Sequence, residues 1–190
     1  MIYKGSIIEN RIREEISILE IEKDVELSTI QKILLSIRGP ITAVLDVLYG
    51  ELGLFMLHQH FDEKADATFA EMFDIPEGDE IIYREVIVHK NGRPLVHVTS
   101  YIPKSRCTDE ILDDLKQQKL TTGKIIDKNN LETIRKINKI SINKATPVLV
   151  ELFKTSDDML SREYTIKHDG KNIIWTKESY PISYFRENDF

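Results

Sequence analysis

The sequence predicts an α+β fold: a single antiparallel sheet of about five or six strands with helices packed on one face, built around two related hairpins. Three observations carry this expectation. Residues 84–103 (REVIVHKNGRPLVHVTSYIP) and 162–181 (REYTIKHDGKNIIWTKESYP) align without a gap at an offset of 78, so that Arg-Glu, a turn glycine, a following Arg or Lys and a closing proline coincide. Each copy is centred on a two-residue turn signal, Asn91-Gly92 and Asp169-Gly170, since a type I′ turn needs φ > 0 at both central residues. The rest of the chain carries apolar residues at helical spacing. Two copies are too few for a solenoid. The expectation is therefore one pseudo-symmetric domain over residues 1–190, with 1–26 as an N-terminal arm or helix and 27–190 as the core.

Taken in order, Ile7, Ile8, Ile12, Ile16 and Leu19 are compatible with a first helix. Ser28 is a candidate cap for a helix carrying Ile30, Ile33, Leu34 and Ile37, stopped by Gly39-Pro40. Ile41, Val44, Leu45 and Leu48 predict a second helix ended by Gly50. Leu52 to Phe61 reads as a strand, Ala65 to Phe73 as a short amphipathic helix, and Pro76-Glu77-Gly78 as a turn into the first hairpin. Each hairpin ends at a proline, Pro103 or Pro181, which cannot donate to a ladder. Thr108 suits a helix N-cap, with Asp109 and Glu110 favourable in the first turn and Ile111, Leu112 and Leu115 as its apolar face. Thr121-Thr122-Gly123 reads as a loop entering another short helix, and residues 131–142 as a strand; Pro147 to Phe153 is ambiguous.

The net charge of −6 argues against a general nucleic-acid or anionic-membrane surface, while leaving room for an anionic small molecule held by one or two local cations. A single cysteine, Cys107, excludes an intrachain disulfide and fits a reducing cytoplasm. The opening MIYKGSIIENR lacks a signal-type apolar run, and no 18-residue apolar segment is present. Walker, GxGxxG and GxSxG motifs are absent from the sequence.

Alternation along the hairpins assigns faces. With simple two-residue turns, Arg84 lies opposite Thr99 and shares an apolar face with Leu95, His97 and Tyr101. An arginine there needs a carboxylate or phosphate partner, because an unpaired buried charge is costly, and its fork suits a carboxylate. The bland alternative is a rim arginine paired with a structural acid. In the second hairpin, Arg162, Tyr164, Ile166, Ile173, Trp175 and Lys177 share one face, and Glu178 falls on the other unless a β-bulge turns it inward. His58-x-His60 offers two imidazoles on one strand face but no third metal ligand at a useful spacing, so no metal is expected. His97 reads as a hydrogen-bonded core residue, and Cys107 as inert.

Tyr83-Arg84-Glu85-Val86, Asn91-Gly92-Arg93-Pro94-Leu95, Tyr101-Ile102-Pro103, Thr122-Gly123 and Asp169-Gly170-Lys171 through Thr176, Glu178 and Pro181 together resemble the chorismate lyase family, in its archaeal-type branch. Pro40-Ile41-Thr42 before an apolar helix is similar to that family's small-apolar-Thr segment, so the resemblance spans about residues 36–184. It implies the chorismate lyase/UTRA-like fold, and cleavage of chorismate to 4-hydroxybenzoate and pyruvate without cofactor or metal. It also implies that Arg84 binds the ring carboxylate, that an amide near Thr122-Gly123 holds the ligand, that Ile41 lies in a flap over a closed pocket, and that Thr42 beside it contacts the substrate. A Glu on the last strand then contacts the far end of the ring, where the ether oxygen leaves. In the family pattern that Glu falls seven residues after the turn glycine, where this chain has Lys177; either a bulge restores Glu178 or Lys177 occupies the site. A Glu in a closed apolar pocket should be favoured as the acid.

The same fold serves effector-binding domains of GntR-type regulators, so a non-catalytic binder of an aromatic or carboxylate effector is the alternative. A lyase acting on another aromatic or enolpyruvyl acid is a third reading. Residues 1–60 hold six Lys/Arg against nine Asp/Glu, which is wrong for a DNA-binding head.

Overall fold

Both hairpin turns adopt the backbone their residues dictate. In the computed structural model, which describes residues 7–187 and side chains from Arg11 onward, Asn91 and Gly92 have φ of 50° and 85°, and Asp169 and Gly170 have 48° and 76°. The opening MIYKGS and the side chains of Ile7 and Ile8 lie outside the described residues.

The elements follow in order α1 (Ile7–Lys23), α2 (Thr29–Ser36), α3 (Ile41–Tyr49), β1 (Gly53–Lys64), α4 (Ala67–Phe73), β2 (Glu80–Lys90), β3 (Arg93–Pro103), a short 3-10 turn (Lys104–Arg106), α5 (Asp109–Gln117), α6 (Thr122–Lys128), β4 (Ile134–Asn143), α7 (Pro147–Phe153), β5 (Met159–His168) and β6 (Lys171–Pro181). Ser28 caps α2 with a full capping box: its hydroxyl accepts from the Gln31 amide, and the Gln31 side chain accepts from the Ser28 amide. Thr108 and Thr121 cap α5 and α6. The ambiguous segment 147–153 is a helix, because Thr146 caps it and Pro147 sits in the first turn, where its missing N–H costs nothing.

The six strands form one antiparallel sheet in the order β1-β2-β3-β6-β5-β4. The hairpins β2–β3 and β5–β6 meet at the centre, so a pseudo-twofold runs between β3 and β6. The repeat extends beyond the hairpins to α2-α3-β1-α4-β2-β3 and α5-α6-β4-α7-β5-β6. Helices α4 and α7 share the pattern: Asp66 and Thr146 cap them, Phe73 and Phe153 are buried, and Asp74 and Lys154 end them at φ of 52° and 55°. The main core lies between the inner face of the sheet and the helical layer, with Leu34, Leu35, Leu45, Ile82, Val96 and Leu160 buried in it. The short helices α4 and α7 pack on the outer face, where Phe69 of α4 meets Tyr101 and Trp175, and Phe153 of α7 clusters with Ile87 and Met159.

One feature overturns the expected faces. Each hairpin carries a bulge at the same place, between Val88 and His89 in the first ladder and between Ile166 and Lys167 in the second. The unpaired residues, Leu95 and Ile173, are again 78 apart and both join the core. One extra residue on the return strand reverses the facing of everything after it. Arg84 is therefore opposite Ser100, not Thr99, and His97, Thr99, Tyr101, Trp175 and Lys177 point outward. Glu178, exposed in the unbulged register, turns inward opposite Arg162.

Candidate active site

The inner face at the centre of the sheet is made by two rows of side chains. One row runs Arg84, Ser100, Thr176, Tyr164, and the next runs Val86, Val98, Glu178, Arg162. The helix–turn–helix pairs α2–α3 and α5–α6 cover them. A cavity between sheet and covers is lined by Val86, Val98, Tyr164, Thr176, Glu178 and Arg135 from the sheet. Its roof is Pro40 and Thr42 from one cover and Thr121, Thr122 and Gly123 from the other. Ile41, buried in the core beside Thr42, is not part of the lining.

Arg84 borders this cavity: Val86, next along the same strand face, lines it, as do Thr121 and Thr122, adjacent to the Leu120 carbonyl that Arg84 Nη2 bonds. Arg84 is 1% exposed, and its Nε and Nη1 have no hydrogen-bond partner among the described residues. Burial pushes its guanidinium down to about 10. A buried cation with idle donors is unstable unless an anion joins it.

Arg162, at the equivalent position of the other hairpin, is fully occupied. Its Nε donates to Glu178 Oε2 at 2.6 Å, and its two Nη groups donate to the carbonyls of Ile37 and Gly39 at 2.7 and 3.3 Å. Its guanidinium also stacks 5.0 Å from the centre of the Tyr164 ring. Tyr164 donates its hydroxyl to Glu178 Oε1 at 2.9 Å, and burial first, then the Glu178 charge, raises the phenol. Glu178 is thus addressed by a donor on each oxygen, which differs from the isolated acid in an apolar pocket expected from the sequence.

Of the residues singled out in the sequence, Arg84, Thr42, Thr122, Gly123 and Glu178 are brought together. Lys177 is not: it points to the outer face, 3.7 Å from Glu163. Arg135, Tyr164 and the partner role of Arg162 were not foreseen. The 78-residue offset contained the signal for Arg162, since it places Glu178 where the first hairpin has Ser100.

The cavity has a volume of about 30 Å³ in this state, room for roughly one water. An aromatic acid can enter only if the covers part, and Gly123 marks their contact, since a Cβ there would meet Pro40 Cβ at 3.3 Å. A larger cavity of about 700 Å³ opens on the outer face, with Glu85, His97 and Lys177 on its floor. There His97 Nε2 lies 2.6 Å from Glu85, which also accepts from the Tyr83 hydroxyl at 2.9 Å. These groups satisfy one another, whereas the idle donors lie on the inner face, so the smaller cavity is the candidate site. The His58 and His60 rings stack 6.4 Å apart, and no cluster of three metal-ligating side chains occurs among the described residues. Burial pushes the Cys107 thiol up to about 12, which makes it unreactive. No helix among the described residues is long and apolar enough to cross a membrane.

An antiparallel sheet whose inner face carries an arginine-anchored pocket under two helical covers defines a small-molecule-binding domain. The same fold occurs in the effector domain of PhnF from Mycobacterium smegmatis (TM-score 0.62, 15% identity, covering 75% of this chain and 88% of that one). It also occurs in the C-terminal domain of the histidine utilization repressor from Pseudomonas syringae pv. tomato (TM-score 0.55, 14% identity, 69% and 92%). The chain belongs to the Rv2949c-like chorismate pyruvate-lyase family, whose model matches residues 35–187. It is 30% identical over 172 residues to a protein of Methanocaldococcus jannaschii named "Putative lyase MJ0807", covering 87% of this chain and 85% of that one.

Proposed function

We propose that the protein is a chorismate pyruvate-lyase, eliminating pyruvate from chorismate to give 4-hydroxybenzoate. The observation that carries this reading is Arg84, a buried guanidinium with idle Nε and Nη1 at the edge of a covered pocket. A bidentate carboxylate satisfies both donors and neutralises the charge. Family membership supports chorismate as the substrate.

In the reaction the ring C3–O bond breaks, the C4 proton leaves, and the electron pair of that C–H bond completes the aromatic ring. The released enolpyruvate takes up a proton to become pyruvate. Aromatisation supplies the driving force, so the protein needs to orient the ligand and exclude water. Arg84 anchors the ring carboxylate. Glu178, two strands away across the sheet floor, about 10 Å in backbone spacing, accepts a hydrogen bond from the ring hydroxyl at the far end. Arg162 and Tyr164 fix its orientation. Thr42, Thr122 and Gly123 close over the ring.

The test mixes purified protein with chorismate and follows 4-hydroxybenzoate and pyruvate beside Arg84→Ala. Equimolar products are expected from the native chain, with kcat/KM in the variant reduced by about tenfold or more, the worth of a charged hydrogen bond. Unchanged kcat/KM would remove Arg84 from the site. A second reading, a non-catalytic effector-binding protein, is favoured by the regulator ligand-binding domains that share the fold. It predicts 4-hydroxybenzoate binding without turnover.

A further inference from the structure

The inner pocket holds a second cation that its closing residues leave idle. Arg135 projects from β4, on the far side of β3, β6 and β5 from Arg84. Its Nε is buried without a hydrogen-bond partner, and its guanidinium makes no ion pair among the described residues. Its Nη2 lies 3.9 Å from where a Cβ on Gly123 would stand, so the fork sits under the α5–α6 cover. The charge of Arg135 acts on the Tyr164 hydroxyl, beside Glu178, while burial alone acts on Arg84. The two cations therefore address opposite ends of one pocket. The only carboxylate lining that pocket, Glu178, is already taken by Arg162 and Tyr164.

We infer that Arg135 reads a second carboxylate on the ligand, so that the site selects an aromatic or cyclohexadiene dianion over a monocarboxylate. This rests on the lyase reading for its choice of substrate: Arg84 takes the ring carboxylate and Arg135 the carboxylate of the ether-linked enolpyruvyl arm. Arg135 then distinguishes substrate from product. After elimination the arm leaves, and 4-hydroxybenzoate keeps only the group that Arg84 holds. A neutral Arg135 side would bind substrate and product with similar strength, and would leave the arm free to rotate away from the plane needed for C–O cleavage.

The experiment compares two inert probes on the full chain by calorimetry: 4-hydroxybenzoate and 3-(carboxymethoxy)-4-hydroxybenzoate, which differ only in the carboxylate arm. The native protein should prefer the dianion. Arg135→Gln should weaken the dianion by about tenfold or more and change 4-hydroxybenzoate by no more than about twofold. Arg135→Lys should recover part of the loss, and circular dichroism shows whether each variant is folded. In turnover, Arg135→Gln should raise KM for chorismate. Equal weakening of both probes, no weakening of either, or a native protein with no preference for the dianion overturns the assignment. The outcomes also separate the two readings. Dianion selectivity lost in Arg135→Gln, in a native protein that does not turn chorismate over, keeps the two-cation site and removes the lyase. Turnover with unchanged KM in Arg135→Gln keeps the lyase and removes this role.

Discussion

Arg84 and Arg162 occupy equivalent strand positions, and what distinguishes them is the residue across the ladder: Ser100 for one, Glu178 for the other. In the second hairpin the protein supplies its own carboxylate; in the first it leaves the place open. Glu178 on Arg162 is thus the pattern that a carboxylate would follow on Arg84 in the proposed site. Ser100 is buried, bonded to Thr176 at 3.1 Å. Ser100→Glu should place a carboxylate on Arg84 from within and weaken carboxylate ligands by about tenfold or more. Ser100→Gln, of similar volume but uncharged, should weaken them less. Equal effects of the two, measured by calorimetry with 4-hydroxybenzoate, would mean that bulk rather than charge is responsible. The same charge sets a pH limit. Burial pushes Arg84 down to about 10, so the charge of the proposed anchor is fully present only well below that value and is lost as pH rises through it. Benzoate affinity should therefore fall above about pH 10 in the native chain, and a flat profile to pH 11 would contradict this. Stability moves the other way: the folded value lies below that of a free guanidinium, so the unfolded chain holds more protons between the two. The unliganded protein gains this contribution as pH rises through it.

At the scale of elements, the bulges decide which residues form the site. The turns at Asn91-Gly92 and Asp169-Gly170, the caps at Ser28 and Thr108, and the two hairpins were legible because each depends on local backbone chemistry. The facing of Glu178 and Lys177 was not, because a bulge depends on how Leu95 and Ile173 pack into the core, which local pattern does not reveal. Helix α7 was obscured for a similar reason: its seven residues are too few for a clear period, and its burial against Ile87 and Met159 comes from distant strands. Arg135 was hidden because its strand reads through its isoleucines, while the rest of the cavity it lines comes from other elements. The two covers meet where Gly123 faces Pro40, and a methyl group there is tighter than ordinary contact. Gly123→Ala should hold the covers apart and speed release of 4-hydroxybenzoate by severalfold, read by stopped-flow dissociation. A slower release would mean that the added methyl seals the pocket instead.

Across the whole molecule the repeats are interlocked. Arg162, in the second repeat, bonds the Ile37 and Gly39 carbonyls ahead of α3 in the first; Arg84, in the first, bonds the Leu120 carbonyl ahead of α6 in the second. Each half latches the cover of the other, but only one latch is neutralised internally. One substitution at both positions should therefore have opposite effects. Arg162→Met strands Glu178 without its counter-charge and frees the α2–α3 cover, and breaking a buried pair in this way costs about 3–5 kcal/mol. Arg84→Met removes a buried cation that has no counter-ion, exchanging two idle donors for apolar volume of similar length. Each unsatisfied buried group costs about 1–3 kcal/mol, against one carbonyl bond lost. The unliganded Arg84→Met protein should be as stable as the native chain or more so, and Arg162→Met markedly less so, in urea unfolding. Added 4-hydroxybenzoate should raise native stability and leave Arg84→Met unmoved, because a ligand stabilises only the state that binds it. Equal destabilisation by the two substitutions would mean that Arg84 serves the fold as Arg162 does. On the proposed function, the native chain carries the instability of one open latch for the sake of the anion that closes it.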